Sequence, residues 1–412
     1  MIGRRSFLTA SLGALASVRS WGQEPPPLRP VKSVIWAWME GGASQIDTWD
    51  PKPGHPNSAG LRAIDTRVPG ISLSELMPRC AAQMDKLSIL RTAQLPRGFG
   101  DPSSAWLSDA MHCSLPPGCD EVEPATGTLF ALELANREAP VPAFVSIDSP
   151  RIPEAGYFQQ AYIPYHVSSV DEDPSSRPAD PSATELAREA LLSAQNREWE
   201  ASRQTKFLRS YQEARLRRDV LRSRRFRGAL ETEGEPASLR QEYGAGFGRR
   251  CLQARRLVEA GVAVVEIAQT GWEQAARSFE AIRRLGEELD RGIGTLVRDL
   301  EEHGLLQDTV LVCIGPGGRS PGLNTDGGRD GGTSPFSVAL AGGSLKGGRV
   351  FGDTGPGGTQ ATPPVPYWDL HATLFRACGV NPNKTYFTGG HRMKYVSRGS
   401  PGTSGTPISQ FF

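Results

Sequence analysis

Residues 262–314 read VAVVEIAQTGWEQAARSFEAIRRLGEELDRGIGTLVRDLEEHGLLQDTVLVCI, and the order of patterns in them decides the fold. Val262–Ala268 is an apolar run without alternation, as a strand buried on both faces requires. Phe279, Ile282, Leu285, Leu289, Ile293, Leu296 and Leu300 then recur at three- and four-residue spacing. That period predicts one long amphipathic helix over Arg277–His303. Gly304 supplies its stop, and Thr309–Ile314 is a second apolar run just beyond. Strand, covering helix and strand make a parallel crossover unit.

Further runs of the same kind flank this unit. Ser33–Met39, Val141–Ile147 and Phe336–Ala341 read as strands, and Phe247–Ala260 and Tyr367–Cys378 as helices. The alternation predicts an α/β fold, a three-layer α/β/α sandwich on a mainly parallel sheet. Strands 33–39, 262–268, 309–314 and 336–341 are expected side by side in its middle. One domain is expected over residues 31–412, with a helical, Arg-rich insertion near 183–230.

The chain has 412 residues, long enough for such a core, and a formal net charge of +1. That balance gives no global attraction to nucleic acid or an anionic membrane. Residues 168–185 are polar and Pro-rich, and read as a loop. The many arginines of 197–227 are interleaved with Glu198, Glu200, Glu213 and Asp219, and no aromatic ladder accompanies them. They read as a solvated helical face, and no nucleic-acid partner is expected. None of the six cysteines forms a CxxC pair, which argues against a zinc ribbon. Cys113 and Cys119 could close a short ring in their Pro/Gly loop, whereas Cys251 and Cys313 read as small buried hydrophobes.

The N-terminus, MIGRRSFLTASLGALASVRSWGQEPPP, carries Arg4-Arg5 and then an apolar stretch too short for a stable membrane anchor. Residues 1–22 read as a twin-arginine signal peptide and 23–30 as a Pro-rich spacer, which predicts a periplasmic or extracellular protein.

Ligands in open α/β sheets bind beyond the carboxyl ends of the strands. Three segments lie there. The first, Glu40–Pro53, offers Glu40, Asp47 and Asp50 as hard oxygen donors and Ser44 and Thr48 as hydroxyls. From spacing alone the plainer reading is a glycine turn with an Asp capping a helix. The second, Gly315–Gly332, has backbone N–H groups, Arg319 and Arg329 for an anion, and only Asp326 and Asp330 as acids. The third, Gly271–Ala276, supplies Glu273.

These segments, in this order, resemble the bacterial family called domain of unknown function 1501. GGASQIDTWDPKP at 41–53 resembles that family's GGPSHLDTFDPKP. Tyr243–Glu266 resembles its YGxxxFGxxCLxARRLVEAGVxFVE, with one residue fewer between Gly244 and Phe247. Gly327–Asp330, Phe336–Gly352 and Asp369–Gly379 resemble its GGRD, FSVLLAGGGVKGGxVxG and DLHATLLxxLG. The likeness runs from about Val31 to about Val396. It implies an alkaline-phosphatase/sulfatase-like fold and, in the family at large, a metal-dependent hydrolase site.

The departures fall on that implied site. Gln45, Ala275 and Gly331 stand where the family usually has histidines, and Pro316 stands where it has an acid. Ala, Pro and Gly offer no side-chain donor, and a divalent metal needs several converging on one point. His55, His112, His166, His303, His371 and His391 are scattered. His303, at a helix end, and His371, in the DLHAT helix, suit structural roles, and His112 is the one near a divergent segment.

Three readings follow. In the first, the protein is an exported, non-catalytic binding or assembly protein on a phosphatase-like scaffold, with no cofactor. The second is a hydrolase of phosphate or sulfate esters rebuilt on Glu40, Asp47, Asp50, Glu273, Asp326 and Asp330. Those ligands would suit Mg²⁺, Ca²⁺ or Mn²⁺, with Ser44 or Thr48 as nucleophile. The third is an anion-binding module using Arg319 and Arg329. Partners under these readings are an anionic ligand or another exported protein.

Overall fold

Every residue of Ser33–Met39 is buried, and this strand, β1, lies inside the main sheet. The computed structural model describes residues 28–94, 124–136, 138–150, 162–168, isolated positions between 183 and 195, 219–273, 279–332, 335–388, 391–394 and 405–412. The expected signal segment 1–22, His112, Cys113, Cys119, Ala275, and most of the spacer, of loop 168–185 and of the Arg-rich stretch lie outside these residues.

Two short strands, β2 (Ala63–Asp65) and β3 (Ser72–Ser74), pair with each other, and β4 (Leu87–Gln94), β5 (Phe144–Ile147) and β6 (Tyr165–Val167) join the main sheet. β7 (Val264–Gln269) and β8 (Thr309–Ile314) follow. After them, β9 (Gly318–Arg319) and β10 (Gly331–Gly332) form a separate ribbon. β11 (Phe336–Gly342), β12 (Arg349–Phe351) and β13 (Val365–Pro366) complete the main sheet. Its order is β12-β4-β11-β8-β1-β7-β5-β6, with β13 also on β4. The four strands expected in the middle are therefore consecutive, β11-β8-β1-β7.

β11 alone runs against the rest of the sheet, being antiparallel to both β8 and β4. No helix intervenes between Ile314 and Phe336 among the described residues, so the chain stays at the end where β8 finishes and can only turn back. β4 was not legible in the sequence, because LSILRTAQ mixes polar with apolar residues. Val262 and Ala263 precede β7 rather than belong to it, and β5 starts at Phe144 instead of Val141.

Helices cover both faces, which makes three layers. Phe247–Ala260 and Phe279–Glu302 pack on the face presented by Ile35, Ala37 and Met39. Thr126–Leu134 and Tyr367–Ala377 pack on the other, against Val34, Trp36 and Trp38. Among the described residues no helix is long and apolar enough to cross a membrane.

The YG–FG–ARRLVEAG motif is scaffold. Arg255 Nε donates to Asp299 Oδ2 at 3.0 Å, and the Tyr243 hydroxyl donates to the same oxygen at 2.8 Å. Arg255 also meets Glu235 at 2.8 Å and Glu259 at 2.7 Å. Burial works against the Glu235 carboxylate, but hydrogen bonds from Arg255 and Arg256 hold it below its ordinary pKa. Cys80, Cys251, Cys313 and Cys378 are buried free thiols, and burial raises the pKa of each; Cys251 and Cys313 are thus buried as the small-hydrophobe reading expected.

His371 is buried in helix 367–377, edge-on to Tyr367 at 6.0 Å. Burial pulls its imidazole from 6.5 down to about 4. Between those pH values the unfolded chain binds the extra proton, so stability is whole above pH 6.5 and falls as pH drops toward 4. The loss amounts to about 3 kcal/mol. Urea unfolding of His371→Gln against wild type across this window should show a shallower pH slope in the variant, and equal slopes would refute the assignment.

Candidate functional site

The loops after β1, β7 and β8 meet at one end of the sheet, and glycine lets them pack backbone against backbone. Gly42 has φ +84°, and a Cβ there would stand 2.8 Å from the Gly317 carbonyl oxygen. A Cβ on Gly41 would stand 2.6 Å from Glu273 Oε2. The close approach that glycine allows is thus used by protein against protein.

Gln45 sits inside this junction, 2% exposed. Its Nε2 donates to the Arg319 carbonyl at 2.9 Å, and its Oε1 accepts from the Arg319 N–H at 3.0 Å. The side-chain amide thus serves β9 as a surrogate strand partner. Arg319 extends its guanidinium back between the loops. Nε donates to the Gly42 carbonyl at 2.9 Å, and Nη2 donates to the carbonyls of Trp272, at 2.7 Å, and of Gly41. Burial lowers its pKa, while the Glu273 and Asp330 carboxylates push the other way.

Asp47 and Arg329, 282 residues apart, form a forked ion pair with both side chains wholly buried. Arg329 Nε donates to Asp47 Oδ2 at 2.6 Å and Nη2 to Oδ1 at 2.7 Å. Nη2 also donates to the Asn57 carbonyl at 2.7 Å, and Nη1 to the Pro321 carbonyl. Asp50, equally buried, is met by Lys52 Nζ at 2.9 Å and Arg91 Nε at 3.2 Å, and accepts from the Thr354 hydroxyl.

The candidate nucleophiles are held in place by the main chain. Thr48 Oγ1 donates to the Ser44 carbonyl at 2.7 Å, and Ser44 Oγ accepts from the Asp47 N–H at 3.4 Å. Both residues are buried. Glu40 is buried at the end of β1. Glu273, Asp326 and Asp330 are exposed, and Asp330 Oδ1 accepts from Asn324 Nδ2 at 2.9 Å.

Among the described residues the arrangement does not fit a divalent metal. Among the described residues no group of three His, Cys, Asp or Glu side chains gathers as a metal site would require. The two deepest acids already face protein cations, and the six carboxylates proposed for a rebuilt site divide between buried and exposed positions. The two arginines proposed for anion binding are brought to the site, but most of their N–H groups are directed at protein oxygens. Sequence reasoning missed Arg91, Thr354 and Asn57, which come from β4 and from distant loops. Lys52, in the DPKP motif, was the only local signal for this charge pairing.

Solved structures are similar to this chain only at low TM-score and low identity. The C-terminal periplasmic domain of EcEptC from Escherichia coli, in complex with Zn, is 10% identical with a TM-score of 0.38, covering 90% of this chain and 97% of that one. A protein in the alkaline phosphatase superfamily from Vibrio parahaemolyticus is 10% identical, with a TM-score of 0.41 and coverage of 93% and 71%. The PsFucS1 sulfatase from Pseudoalteromonas sp. is 14% identical, with a TM-score of 0.40 and coverage of 85% and 68%. Among curated proteins none matches. The profile described as "Protein of unknown function (DUF1501)" matches residues 31–403, well over half of the sequence, and the chain belongs to that family.

Proposed function

We propose that this protein is a pseudoenzyme, an exported member of its family that keeps the phosphatase-like scaffold without hydrolysing phosphate or sulfate esters. It takes no metal cofactor and serves as a binding or assembly protein. The observation that carries the reading is that the acids left at the strand ends are committed to protein cations, Asp47 to Arg329 and Asp50 to Lys52 and Arg91, while Gln45, Ala275, Pro316 and Gly331 stand at the positions of the implied donors. A metal would have to displace a buried cation in each case, leaving an arginine or lysine without its counter-charge. The hydroxyls of Ser44 and Thr48 support the same reading, since among the described residues neither has a hydrogen-bonded base to activate it. Export rests on the twin-arginine segment at the N-terminus.

Elemental analysis of natively purified protein, then calorimetric titration with Zn²⁺, Mn²⁺, Mg²⁺ and Ca²⁺, should show no tight equivalent. Aryl phosphate and aryl sulfate esters should turn over no faster than in a blank. One tightly bound equivalent that Asp47→Asn removes, together with ester hydrolysis, would overturn the reading in favour of the rebuilt hydrolase.

A further inference from the structure

Three of the buried thiols lie in one part of the core. Cys80 comes from helix Pro78–Ala82, Cys251 from Phe247–Ala260 and Cys313 from β8, and all three belong to the apolar cluster on that face of the sheet. None of them has any exposed surface. Each is fitted to its surroundings as a thiol. The Cys80 S–H donates to the Asp290 carbonyl at 4.0 Å, and the Cys313 S–H to Met39 Sδ at 3.9 Å. Cys251 packs on the main chain of helix Phe279–Glu302, where a Cβ on Gly292 would stand 2.9 Å from its sulfur. A Cβ on Gly294 would stand 2.9 Å from the Cys80 main-chain nitrogen. The helix thus lacks room even for a methyl group here, and the donated hydrogens exist only on reduced sulfur.

Oxidation would violate both conditions, and it is open to the unfolded chain. A cysteine thiolate attacks one sulfur of a small disulfide such as oxidised glutathione. The glutathione S–S bond breaks, a mixed disulfide forms, and one glutathione leaves as its thiolate. A second cysteine thiolate attacks the protein sulfur of the mixed disulfide and expels the other glutathione. Two cysteines are oxidised, one glutathione disulfide is reduced, and the two thiol protons end on the two glutathiones. In the folded chain this attack has no starting point, because the sulfurs are enclosed and burial keeps them protonated.

We propose that this thiol cluster is a redox gate on folding: the chain reaches its native core only with Cys80, Cys251 and Cys313 reduced, and so completes its fold before it meets an oxidising compartment. The order of events rests on the exported reading above, and the gate itself does not. Outside the cytoplasm thiols are driven to disulfides. A route that carries folded chains therefore suits this core, and one that threads unfolded chains does not.

The full chain tests both parts. Protein unfolded in urea is held with oxidised or with reduced glutathione, diluted, and followed by thermal unfolding. The oxidised sample should not regain the native transition, and dithiothreitol added afterwards should restore it. The reduced sample should refold directly. Equal native yields from the two samples overturn the proposal. Native protein held with oxidised glutathione should keep all three thiols unmodified in peptide mass mapping, and glutathione on any of them overturns the proposal too. Replacing Cys80, Cys251, Cys313 and Cys378 together by alanine leaves Cys113 and Cys119 able to pair only with each other, and this variant should refold in either glutathione state. If the variant does not fold even when reduced, the dithiothreitol rescue of wild type decides. In cells, the protein exported by its own N-terminus should carry free thiols at the three positions. The same chain behind a signal for unfolded export should carry disulfides there, and native, reduced protein from that signal overturns the order of events. Retention of the first form in the cytoplasm overturns the exported reading and the order of events with it, while the gate stands or falls on the glutathione refolding.

Discussion

Arg255→Ala should lose about 3–5 kcal/mol of stability, the range for breaking a buried ion pair by removing one partner. Arg255 is 1% exposed and touches Asp299, Glu235 and Glu259 together. Its removal leaves the Asp299 carboxylate, 1% exposed, with the Tyr243 hydroxyl and His303 as its remaining partners among the described residues. Among the described residues Glu235 keeps Arg256 alone. The stem also packs between helices, so the loss is steric as well as electrostatic. Arg255→Lys keeps the charge, but its donors all leave one nitrogen, whereas Arg255 meets the three acids from Nε, Nη1 and Nη2, and it should recover only part of the loss. Urea unfolding of the two variants measures this. A loss below about 1 kcal/mol for Arg255→Ala, the scale of an exposed pair, would mean that the network is solvated.

The same motif predicts a second large effect at Gly248. A Cβ there would stand 1.8 Å from the Tyr243 carbonyl oxygen and 2.6 Å from its carbonyl carbon. Both are main-chain atoms of the preceding helix, Ala237–Tyr243, so no side-chain rotation can relieve the overlap. Gly248→Ala should therefore cost at least the upper end of the roughly 1–3 kcal/mol typical of overpacking. Because Tyr243 holds Asp299, the shift should also loosen the Arg255 cluster, and Gly248→Ala combined with Arg255→Ala should be less than additive. Gly228 provides the control. It also lies in a helix, Arg224–Leu230, but a Cβ there meets nothing within 4 Å. Gly228→Ala should be neutral or stabilising by up to about 1 kcal/mol, from helix propensity alone. Equal effects at the two glycines would refute the close contact at Gly248.

Legibility differed sharply between scaffold and site. Phe247–Ala260 and Thr309–Ile314 were read at their observed bounds, and the long helix within a few residues of its own. β4 escaped because its polar positions interrupt the apolar run, although it anchors three other strands and brings Arg91 to Asp50. The replacement of candidate donors by Gln45, Pro316 and Gly331 was visible as residue types. What replaced their chemistry was not visible. Gln45 reads as a lost ligand, yet in place it is the amide that pairs with the Arg319 backbone.

The sequence by itself determined the layers and their order, because a strand buried on both faces and a helix with one apolar stripe are written in local periodicity. It also determined which residues at the strand ends offer a metal no side-chain donor, Pro316 and Gly331 among them, since a side chain without donors has none in any fold. Only the tertiary structure decided the direction of β11 and the partners of the buried charges. Asp47 finds Arg329 across 282 residues, and Asp50 finds Arg91 from a strand placed beyond β11. Such pairings depend on strand order and loop path, to which no local pattern of residues refers.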